Sequence, residues 1–277
     1  MSIAPTLTRT ESHLRVRAER VGERTRLTEL ECRAPLQLMR CHYLDSSQPS
    51  MAFATIVSAS GGVLQGDRME VSAVVGTGAQ LHLDTPSAMR LYRMPDACAE
   101  QRVELIVEGD GYLEYLPEPA IPYAGSDFRG STRCLVGEEA TLILVEVIAA
   151  GRAARGEVHQ FARYESVVEI SRPNGESLAV DTTRLEPIDG LAVPGRLGTF
   201  AASGTLYVIR SGFPADLLRT AAVPGTVAGS STLPGGIGSW LKVLGPDGPS
   251  VAAVVMAAAA DAHREILGSA APVSRRP

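Results

Sequence analysis

The sequence predicts a mainly β protein whose strands stack in β-helix-like layers, followed by a small α+β C-terminal portion with a few helices. Two observations predict this fold. A strand-turn-strand unit occurs three times in the middle of the chain, over Val71–Leu83, Val103–Tyr115 and Arg133–Leu144. From Thr205 onward, strand and helix patterns alternate. We therefore expect a β-rich scaffold over 1–203 and an α+β portion over 204–277 that packs on the same core.

The three repeated units share their turns as well as their strands. In each, apolar and polar residues alternate until a glycine, at Gly76, Gly109 or Gly137, and a second alternating strand follows a short turn. The glycines are 33 and 28 residues apart. Units that each leave a strand face uncovered favour stacking, as in a β-helix or a sandwich of long sheets. A plain antiparallel meander is the alternative that the same pattern allows.

Two further strand signals precede the repeats. Apolar alternation from His13 to Arg40 around Val21–Arg24 is typical of a hairpin with a solvated, charged face. The small apolar run Ala52–Ala59 predicts a strand that stops in a tight, glycine-rich turn at Gly61–Arg68.

Proline governs the segment Tyr112–Phe128, which contains Pro117, Pro119 and Pro122. Each proline removes a backbone donor and fixes φ, which argues against a helix or a central strand. We expect a rigid, extended surface path.

Downstream of the repeats, the pattern predicts a loop and then a second hairpin. The loop is Gly151–Glu157, and strand alternation resumes over His159–Ile170. The turn Arg172–Gly175 then leads into a return strand, Leu178–Leu185.

The C-terminal portion is predicted to contain two strands and two helices. The strands are Leu206–Ile209 and Trp240–Leu244. The helices are Pro214–Ala221 and Ser250–Leu267, the second with Ser250 as its N-cap. The stretch Val223–Gly238, rich in glycine and proline, is predicted to be a mobile loop.

Composition narrows the functional classes. Hydrophobic residues make up 45% of the chain and charged residues 21%, as in ordinary globular proteins. A net charge of −5 argues against nucleic acid or an anionic membrane as the partner. Neither a membrane-spanning run nor an apolar signal segment is present, so we expect an uncleaved cytoplasmic protein. The four cysteines form no C-x-x-C pair and are expected to be reduced, buried thiols.

Acidic residues give the strongest chemical signal. There is no phosphate-binding loop and no G-x-S-x-G elbow, and His82 is interpreted as a surface or hydrogen-bonded histidine. Carboxylates recur at strand ends or beside turns, at Asp67, Asp84, Glu114, Glu118, Glu146, Glu157 and Asp181. Such oxygens can pass a divalent cation, or a pair can do acid-base work on a sugar. They can equally be structural, with Asp67 paired to Arg68 or capping its turn.

Several motifs, in this order and spacing, carry a resemblance to a known family. They are GGVLQGDR from Gly61, TPSAMRLYR from Thr85, YLPEP and IPYAG from Tyr115, and the GR and RGE pairs from Gly151. The chain resembles the urease accessory protein D family (UreD, also called UreH) over most of its length. The motif residues are Gly61, Gly62, Gly66, Arg68, Tyr92, Arg93, Pro117, Glu118, Pro119, Pro122, Gly125, Gly151, Arg152, Gly156 and Glu157.

The resemblance implies a scaffold and metallochaperone without enzymatic activity, required for GTP-dependent nickel insertion into urease apoprotein. The implied partners are accessory proteins F and G, of which G is a GTPase, and urease apoprotein, with a dimeric arrangement inside the accessory complex. No cofactor is implied to be tightly bound, and nickel(II) passes transiently. Asp67, Glu146 and Asp181 stand where family members place acids of an internal path.

Two other functions remain as alternatives. A β-solenoid carbohydrate-active enzyme would use Glu114 and Glu118, but its groove would need exposed aromatic side chains to stack on sugar rings. Phe, Trp and Tyr make up only 5% of this chain. An adaptor that never touches metal stays open, because a nickel path and a solvated row of charges use the same residue types.

Overall fold

The computed structural model describes residues 10–193, 196–218 and 222–270. Two β-sheets face each other, and one α-helix packs on the outer face of the larger sheet. The strands are β1 (Glu11–Val21), β2 (Arg24–Arg33), β3 (Leu36–Leu38), β4 (Ala52–Ser58), β5 (Arg68–Val75), β6 (Gln80–Asp84), β7 (Met89–Leu91), β8 (Ala99–Val107), β9 (Tyr112–Leu116), β10 (Ala120–Pro122), β11 (Asp127–Val136), β12 (Thr141–Ala149), β13 (Arg163–Ser171), β14 (Ser177–Leu185), β15 (Ala202–Ile209), β16 (Val227–Thr232) and β17 (Gly238–Gly245). The helix is α1 (Gly248–Leu267). The predicted mainly β fold is confirmed.

The repeated units stack in parallel. The smaller sheet has seven strands in the order β14-β13-β11-β8-β5-β1-β2. The larger sheet has ten, in the order β16-β17-β15-β12-β9-β6-β4-β3 with β7 and β10 beside this path. β8 pairs in parallel with β5 and β11 in the smaller sheet, and β9 pairs in parallel with β6 and β12 in the larger one. Each repeat therefore crosses from one sheet to the other, which confirms the predicted stacking and excludes the antiparallel meander.

The predicted glycine turns are the crossing points between the sheets. Gly109 has a φ of +53°, in the left-handed region, and a side chain there would collide with Thr77 in the preceding turn. A side chain at Gly137 would lie 3.0 Å from the carbonyl oxygen of Gly109. Glycine is required at these positions because each turn passes closely over the one before it.

Two hydrophobic cores result from this arrangement. The first lies between the sheets and includes Val71 and Leu105. The second lies between the larger sheet and α1 and includes Val145 and Val255. Because the larger sheet is covered on both faces in this region, β9 and β15 are buried along their whole length, whereas β5 alternates between buried and more exposed residues.

The outer face of the smaller sheet carries a ladder of alternating charge. Pairing between successive strands places the following residues side by side: Glu11, Arg68, Glu100, Arg129, Glu165 and Arg184. Arg68 lies 3.6 Å from Glu100, and Arg184 lies 3.9 Å from Glu165. The alternation avoids the repulsion that like charges on neighbouring strands would cause, and it keeps this face hydrated.

Helix α1 begins two residues before the predicted start. Asp247 is the N-cap, and its carboxylate accepts a hydrogen bond of 2.7 Å from the backbone N–H of Ser250. Ser250 therefore lies inside the first turn and is not the cap. The helix ends at Gly268, whose φ is +70°. Its buried face is mostly valine and alanine, which lets the helix approach the sheet closely.

The prediction for the proline-rich segment is wrong. Tyr112–Leu116 is the central strand β9, buried at all five residues, and the prolines come only after it. β10 then pairs in parallel with β7, and its residues Ala120 and Pro122 are buried. Proline is tolerated here because β10 is a short strand at the side of the sheet and not one of its long central strands.

The predicted loop Val223–Gly238 contains a strand. β16 pairs with β17 at the edge of the larger sheet, where one partner is enough to hold a strand of glycine, serine and threonine. Within the described part of Pro214–Ala221 there is a single 3-10 turn, Ala215–Leu217, and residues 219–221 lie outside the described residues. β13 starts at Arg163, later than predicted.

The other predicted strands and both hairpins are confirmed. The division between 1–203 and 204–277 stays a prediction, and β15 runs across it. The prediction of buried thiols is right for Cys134 but wrong for Cys32, which is exposed on β2. Over the described ranges, no helix has the length and apolar character needed to cross a membrane.

Candidate functional site

A cavity of about 230 Å³ lies between the two sheets. Part of its wall is made by turns, including Gly61 and Gly62 and the segment 85–90. Polar side chains also line it, from strands of both sheets: Gln101, Tyr115, Thr132, Glu146 and Tyr164. Protein interiors are close-packed, and a cavity of this size with several polar groups in its wall has room for ordered water. The polar lining therefore marks this cavity as the candidate site.

Strand register continues the polar lining beyond the cavity. Glu146, Thr205 and Lys242 are direct neighbours on β12, β15 and β17, and they share the face of the larger sheet that looks toward the smaller one. Ser166 and Thr183 are neighbours on β13 and β14, on the opposing face of the smaller sheet. The two rows form a polar strip between the sheets.

Glu146 is a buried carboxylate in the wall of the cavity. Its Oε1 accepts a hydrogen bond of 2.9 Å from the Ser166 hydroxyl. Burial and, to a smaller extent, the nearby Asp181 carboxylate raise the pKa of Glu146, and the Ser166 hydrogen bond and Lys242 lower it, so that the pKa is about 7. Glu146 therefore exchanges its proton near neutral pH.

Asp181 is held by two donors from the larger sheet. Its Oδ2 accepts a hydrogen bond of 2.6 Å from the Tyr207 hydroxyl and one of 3.3 Å from the Lys242 ammonium. Burial, together with the Asp181 carboxylate, raises the pKa of Tyr207, so this hydroxyl remains a donor. Asp181 and Glu146 approach the same interior space from opposite sheets.

A second, larger cavity of about 510 Å³ lies between β14 and β17. Its lining includes Thr183, Ser203 and Lys242. Lys242 thus borders this cavity while its ammonium contacts Asp181. The polar strip joins two cavities, with Glu146 at the first and Lys242 at the second.

Comparison with known proteins decides the family. The family model described as "UreD urease accessory protein" matches residues 10–277. The chain belongs to the UreD family. It is 38% identical over 267 residues to "Urease accessory protein UreD 2" of Streptomyces griseus subsp. griseus, an alignment that covers 92% of this chain and 90% of the relative. It is 31% identical over 273 residues to "Urease accessory protein UreD" of Cenarchaeum symbiosum, with 95% of each chain covered.

The three predicted path acids lie in different surroundings. Glu146 lines the cavity, and Asp181 contacts Lys242 of the polar strip at 3.3 Å, whereas Asp67 does neither. The Asp67 carboxylate instead accepts a hydrogen bond of 2.9 Å from the backbone N–H of Leu64, within its own turn. Arg68 pairs with Glu100 on the next strand. The geometry favours Asp67 as the cap of its turn.

Several UreD motif residues, distant in sequence, meet in one cluster. The rings of Tyr92 and Tyr123 are 5.1 Å apart, edge to face, and the Arg152 guanidinium lies 4.1 Å from the Tyr123 ring centre. Arg152 Nε donates to Glu157 at 2.8 Å. The Tyr92 hydroxyl donates to the Gly61 carbonyl at 3.1 Å, which connects the cluster to the cavity wall.

The remaining motif residues shape the backbone around this cluster. A side chain at Gly62 would collide with Tyr92, and one at Gly151 would collide with the backbone of Glu157. Gly66, Gly125 and Gly156 have φ near +75° in their turns (+77°, +70° and +74°), and Arg93 packs beside Gly125. Pro117 and Glu118 line the cavity, the Pro119 carbonyl accepts from the Met89 N–H at 2.9 Å, and Pro122 ends β10.

A second buried polar cluster lies on the other face of the larger sheet, under α1. Glu114 is 3% exposed, and its two oxygens lie 2.6 Å from His82 Nδ1 and 2.6 Å from His263 Nδ1. The Tyr112 hydroxyl donates to the same carboxylate. The interpretation of His82 as a hydrogen-bonded histidine is confirmed.

Charge in this second cluster is stabilised by mutual contacts. Burial alone would lower the pKa of His82, but its contacts with Asp84 and Glu114 raise it to about 9. Burial would likewise raise the pKa of Glu114, but hydrogen bonds from His263 and His82 lower it to about 2. An ion pair therefore lies between the sheet and α1. Glu114 is locked in place, and it is unavailable to a sugar substrate.

Sequence reasoning missed Lys242 and the partners of Glu114. The chain has 26 lysine and arginine residues, and Lys242 is the single lysine among them. This rarity is the one feature of the sequence that distinguishes Lys242. Across residues 10–193, 196–218 and 222–270, no group of three or more His, Cys, Asp or Glu side chains is arranged to hold a metal ion.

Proposed function

We propose that the chain is a urease accessory protein that acts as a scaffold and metallochaperone for nickel insertion into urease apoprotein. It works with accessory proteins F and G in the cytoplasm, and GTP hydrolysis by G supplies the energy. The chain performs no catalysis of its own. The observation that carries the proposal is the cavity lined by Glu146, with the Asp181–Lys242 pair on the neighbouring strands, inside a chain whose relatives are named urease accessory proteins.

Nickel(II) is the cargo of this chain and not a resident cofactor. Carboxylate oxygens bind divalent first-row metals more weakly than clusters of histidine and thiolate do. A route for transfer must bind the ion strongly enough to admit it and weakly enough to release it. Two carboxylates in a polar strip, with hydroxyl groups beside them, suit this requirement better than a closed ligand cage would.

The proton on Glu146 suits a transfer step at neutral pH. A carboxyl group must lose its proton before it binds a metal ion, so metal binding and proton release are coupled. Because the pKa of Glu146 is raised to about 7, little free energy separates its two forms in the cytoplasm. Glu146 can therefore accept a cation and return to its neutral form when the cation leaves.

The two cavities are the proposed ends of the route. One lies beside the motif cluster of Tyr92, Tyr123 and Arg152, and the other lies beside Lys242 between β14 and β17. We propose that one opening faces the accessory proteins and the other faces urease apoprotein, so that the ion crosses the chain past Glu146 and Asp181. A dimeric arrangement of the accessory complex is compatible with this route.

The two glutamates that the carbohydrate-active enzyme alternative requires do not form a catalytic pair in this fold. Glu114 is buried under α1 and bound by two histidines, so Glu114 and Glu118 cannot act as an exposed catalytic pair. An adaptor without a metal role is the remaining competitor, and it predicts that Glu146 and Asp181 matter only for folding.

Co-purification and complementation test the proposed function. In a strain that lacks this gene, the wild-type chain should restore urease activity and co-purify with accessory proteins F and G and urease apoprotein. Restoration of activity without any association with these proteins would contradict the scaffold role. Association without restored nickel loading would contradict the metallochaperone role.

A further inference from the structure

Lys242 occupies an unusual position for a charged residue. It lies in the middle of β17, between neighbours that are fully buried: Leu241 and Val243 are 0% exposed. The register Glu146–Thr205–Lys242 directs its side chain into the space between the sheets. The other 25 of the 26 lysine and arginine residues in the sequence are arginines. A lysine here therefore calls for a physical explanation.

The ammonium of Lys242 has one carboxylate partner in the described residues. Nζ lies 3.3 Å from Asp181 Oδ2, and the side chains of Lys242 and Asp181 are 33% and 32% exposed. The second cavity borders the same side chain. The contact is thus a single, partly solvated ion pair with free volume beside it, into which a flexible lysine stem can withdraw.

The chemistry of lysine differs from that of arginine at such a position. An ammonium is a compact point charge on a flexible stem, whereas a guanidinium is a planar fork that binds a carboxylate through two parallel hydrogen bonds. A lysine leaves its carboxylate more readily than an arginine does. A cation that is easy to displace is therefore present at the Asp181 carboxylate.

We propose that Lys242 is a tethered counter-cation that holds Asp181 when no metal is present and is displaced into the second cavity when a divalent cation arrives. This inference rests on the proposed nickel route. Lys242 is a positioning residue in it: the ammonium balances the charge of the carboxylates in the empty route and competes with the metal, which prevents the ion from being trapped. The return of the ammonium to Asp181 then favours release of the ion.

Substitutions at Lys242 test this role through nickel affinity. Lys242→Met removes the competing cation and should raise the affinity of the full chain for nickel by about tenfold or more, the size of effect that a neighbouring charge exerts. Lys242→Arg keeps the charge but binds Asp181 more firmly, and it should lower the affinity below that of the wild type. Calorimetric titration with nickel(II) measures these affinities, which should decrease in the order Lys242→Met, wild type, Lys242→Arg. Arg264→Met, which removes a positive charge from exposed Arg264 on α1, is the control and should match the wild type.

A chemical measurement on the wild type tests displacement directly. Because Lys242 is the single lysine, an amine-reactive ester labels it alone apart from the N-terminal amine, and peptide mass spectrometry separates the two sites. Saturating nickel(II) should increase the labelling rate at Lys242 severalfold and leave the rate at the N-terminus unchanged. An unchanged rate at Lys242 would overturn the proposal, even if a Lys242 variant fails to fold.

The outcomes separate this proposal from the nickel route itself. If the wild type binds nickel, the double variant Glu146→Gln with Asp181→Asn loses binding, and both Lys242 variants match the wild type, then the counter-cation role is wrong while the route stands. If the wild type and all variants fail to bind nickel, both are wrong. The predicted affinity order together with nickel-dependent labelling would support the counter-cation role.

Discussion

The two sheets use the same charged residue types in opposite ways. The smaller sheet turns one face to solvent, and its acids and arginines form the outer ladder, where water screens them. The larger sheet is covered by the smaller sheet on one side and by α1 on the other. Its charged residues Glu114 and Glu146 are therefore desolvated, and each depends on specific partners.

This difference shows where in the molecule the loss of a charge should affect stability. Exposed ion pairs contribute little to stability, because solvent competes for both partners. A buried charge that loses its partner is costly, because nothing replaces the lost interaction. Substitutions on the larger sheet should therefore change stability, pH dependence or metal handling, while equivalent substitutions on the outer ladder should change little.

The largest effect is expected at Glu114. Glu114→Ala leaves the imidazolium of His82 and the ring of His263 without their shared carboxylate, and it should lower the free energy of unfolding by about 3–5 kcal/mol. Urea denaturation measures this change in the free energy of unfolding. Glu104→Ala, on the exposed face of β8, is the matched control and should leave the midpoint nearly unchanged. Similar losses in the two variants would contradict the contrast between the sheets.

The same cluster should give a characteristic pH dependence. The lowered pKa of Glu114 contributes stability that is present above pH 4.5 and is lost as pH falls toward 2. The raised pKa of His82 contributes stability that is present below pH 6.5 and is lost as pH rises through about 9. The stabilisation by the pair is therefore complete between about pH 4.5 and 6.5. Glu114→Ala should flatten this profile, and a variant that keeps the wild-type profile would show that the pair is not its source.

A smaller effect of opposite sign is expected at Glu146. Its pKa is raised from 4.5 to about 7, so its contribution is complete below pH 4.5 and is lost as pH rises through 7. The loss is roughly 3 kcal/mol at most, since each pKa unit corresponds to about 1.4 kcal/mol. Glu146→Gln should therefore gain stability relative to the wild type between pH 5 and pH 8. A constant difference between the two proteins over that range would show that Glu146 titrates normally.

Asp67 should behave as a turn cap. Asp67→Ala removes the acceptor of the Leu64 N–H and should cost roughly 1 kcal/mol, as the loss of a capping side chain does elsewhere. Asp67→Asn keeps an acceptor oxygen without the charge and should recover most of the stability. If the asparagine variant were as unstable as the alanine variant, the carboxylate charge itself would be required. Thermal denaturation distinguishes these results.

The smallest effect is expected on the outer ladder. Arg129→Glu places an acid between Glu100 and Glu165, and the repulsion should cost under about 1 kcal/mol at low salt. Added salt should remove most of this cost, because ions screen exposed charges. A loss that is large or insensitive to salt would show that the ladder is structural.

Local patterns were sufficient to predict most of the fold. The turns at Gly76, Gly109 and Gly137 and the alternation around them predict the stacked strands, because these signals are carried by neighbouring residues. β16 could not be predicted, since its glycine, serine and threonine residues are typical of a loop and only pairing with β17 makes it a strand. Two local signals conflict at β9: the unit Val103–Tyr115 correctly predicts a strand there, whereas the prolines of Tyr112–Phe128 constrain only the residues after Leu116.

The candidate site was predictable only where a family motif or a repeated acid marked it. The family resemblance names Glu146 and Asp181 as candidate acids, but Lys242 lies 61 residues after Asp181, and only strand register brings Lys242 and Asp181 together. The partners of Glu114 are similarly distant, since His263 follows it by 149 residues. Contacts over such separations depend on the tertiary fold, which no local pattern records.

Nickel loading of urease tests the proposed route most directly. Glu146→Gln combined with Asp181→Asn changes the two carboxylates while keeping side chains of the same size. Complex yield with accessory proteins F and G and the nickel content of urease should be measured from the same lysate. We expect a normal yield of the complex and a clear fall in nickel per urease. Normal nickel loading in the double variant would contradict the route through the polar strip, and a parallel fall in yield and nickel would assign both residues to folding.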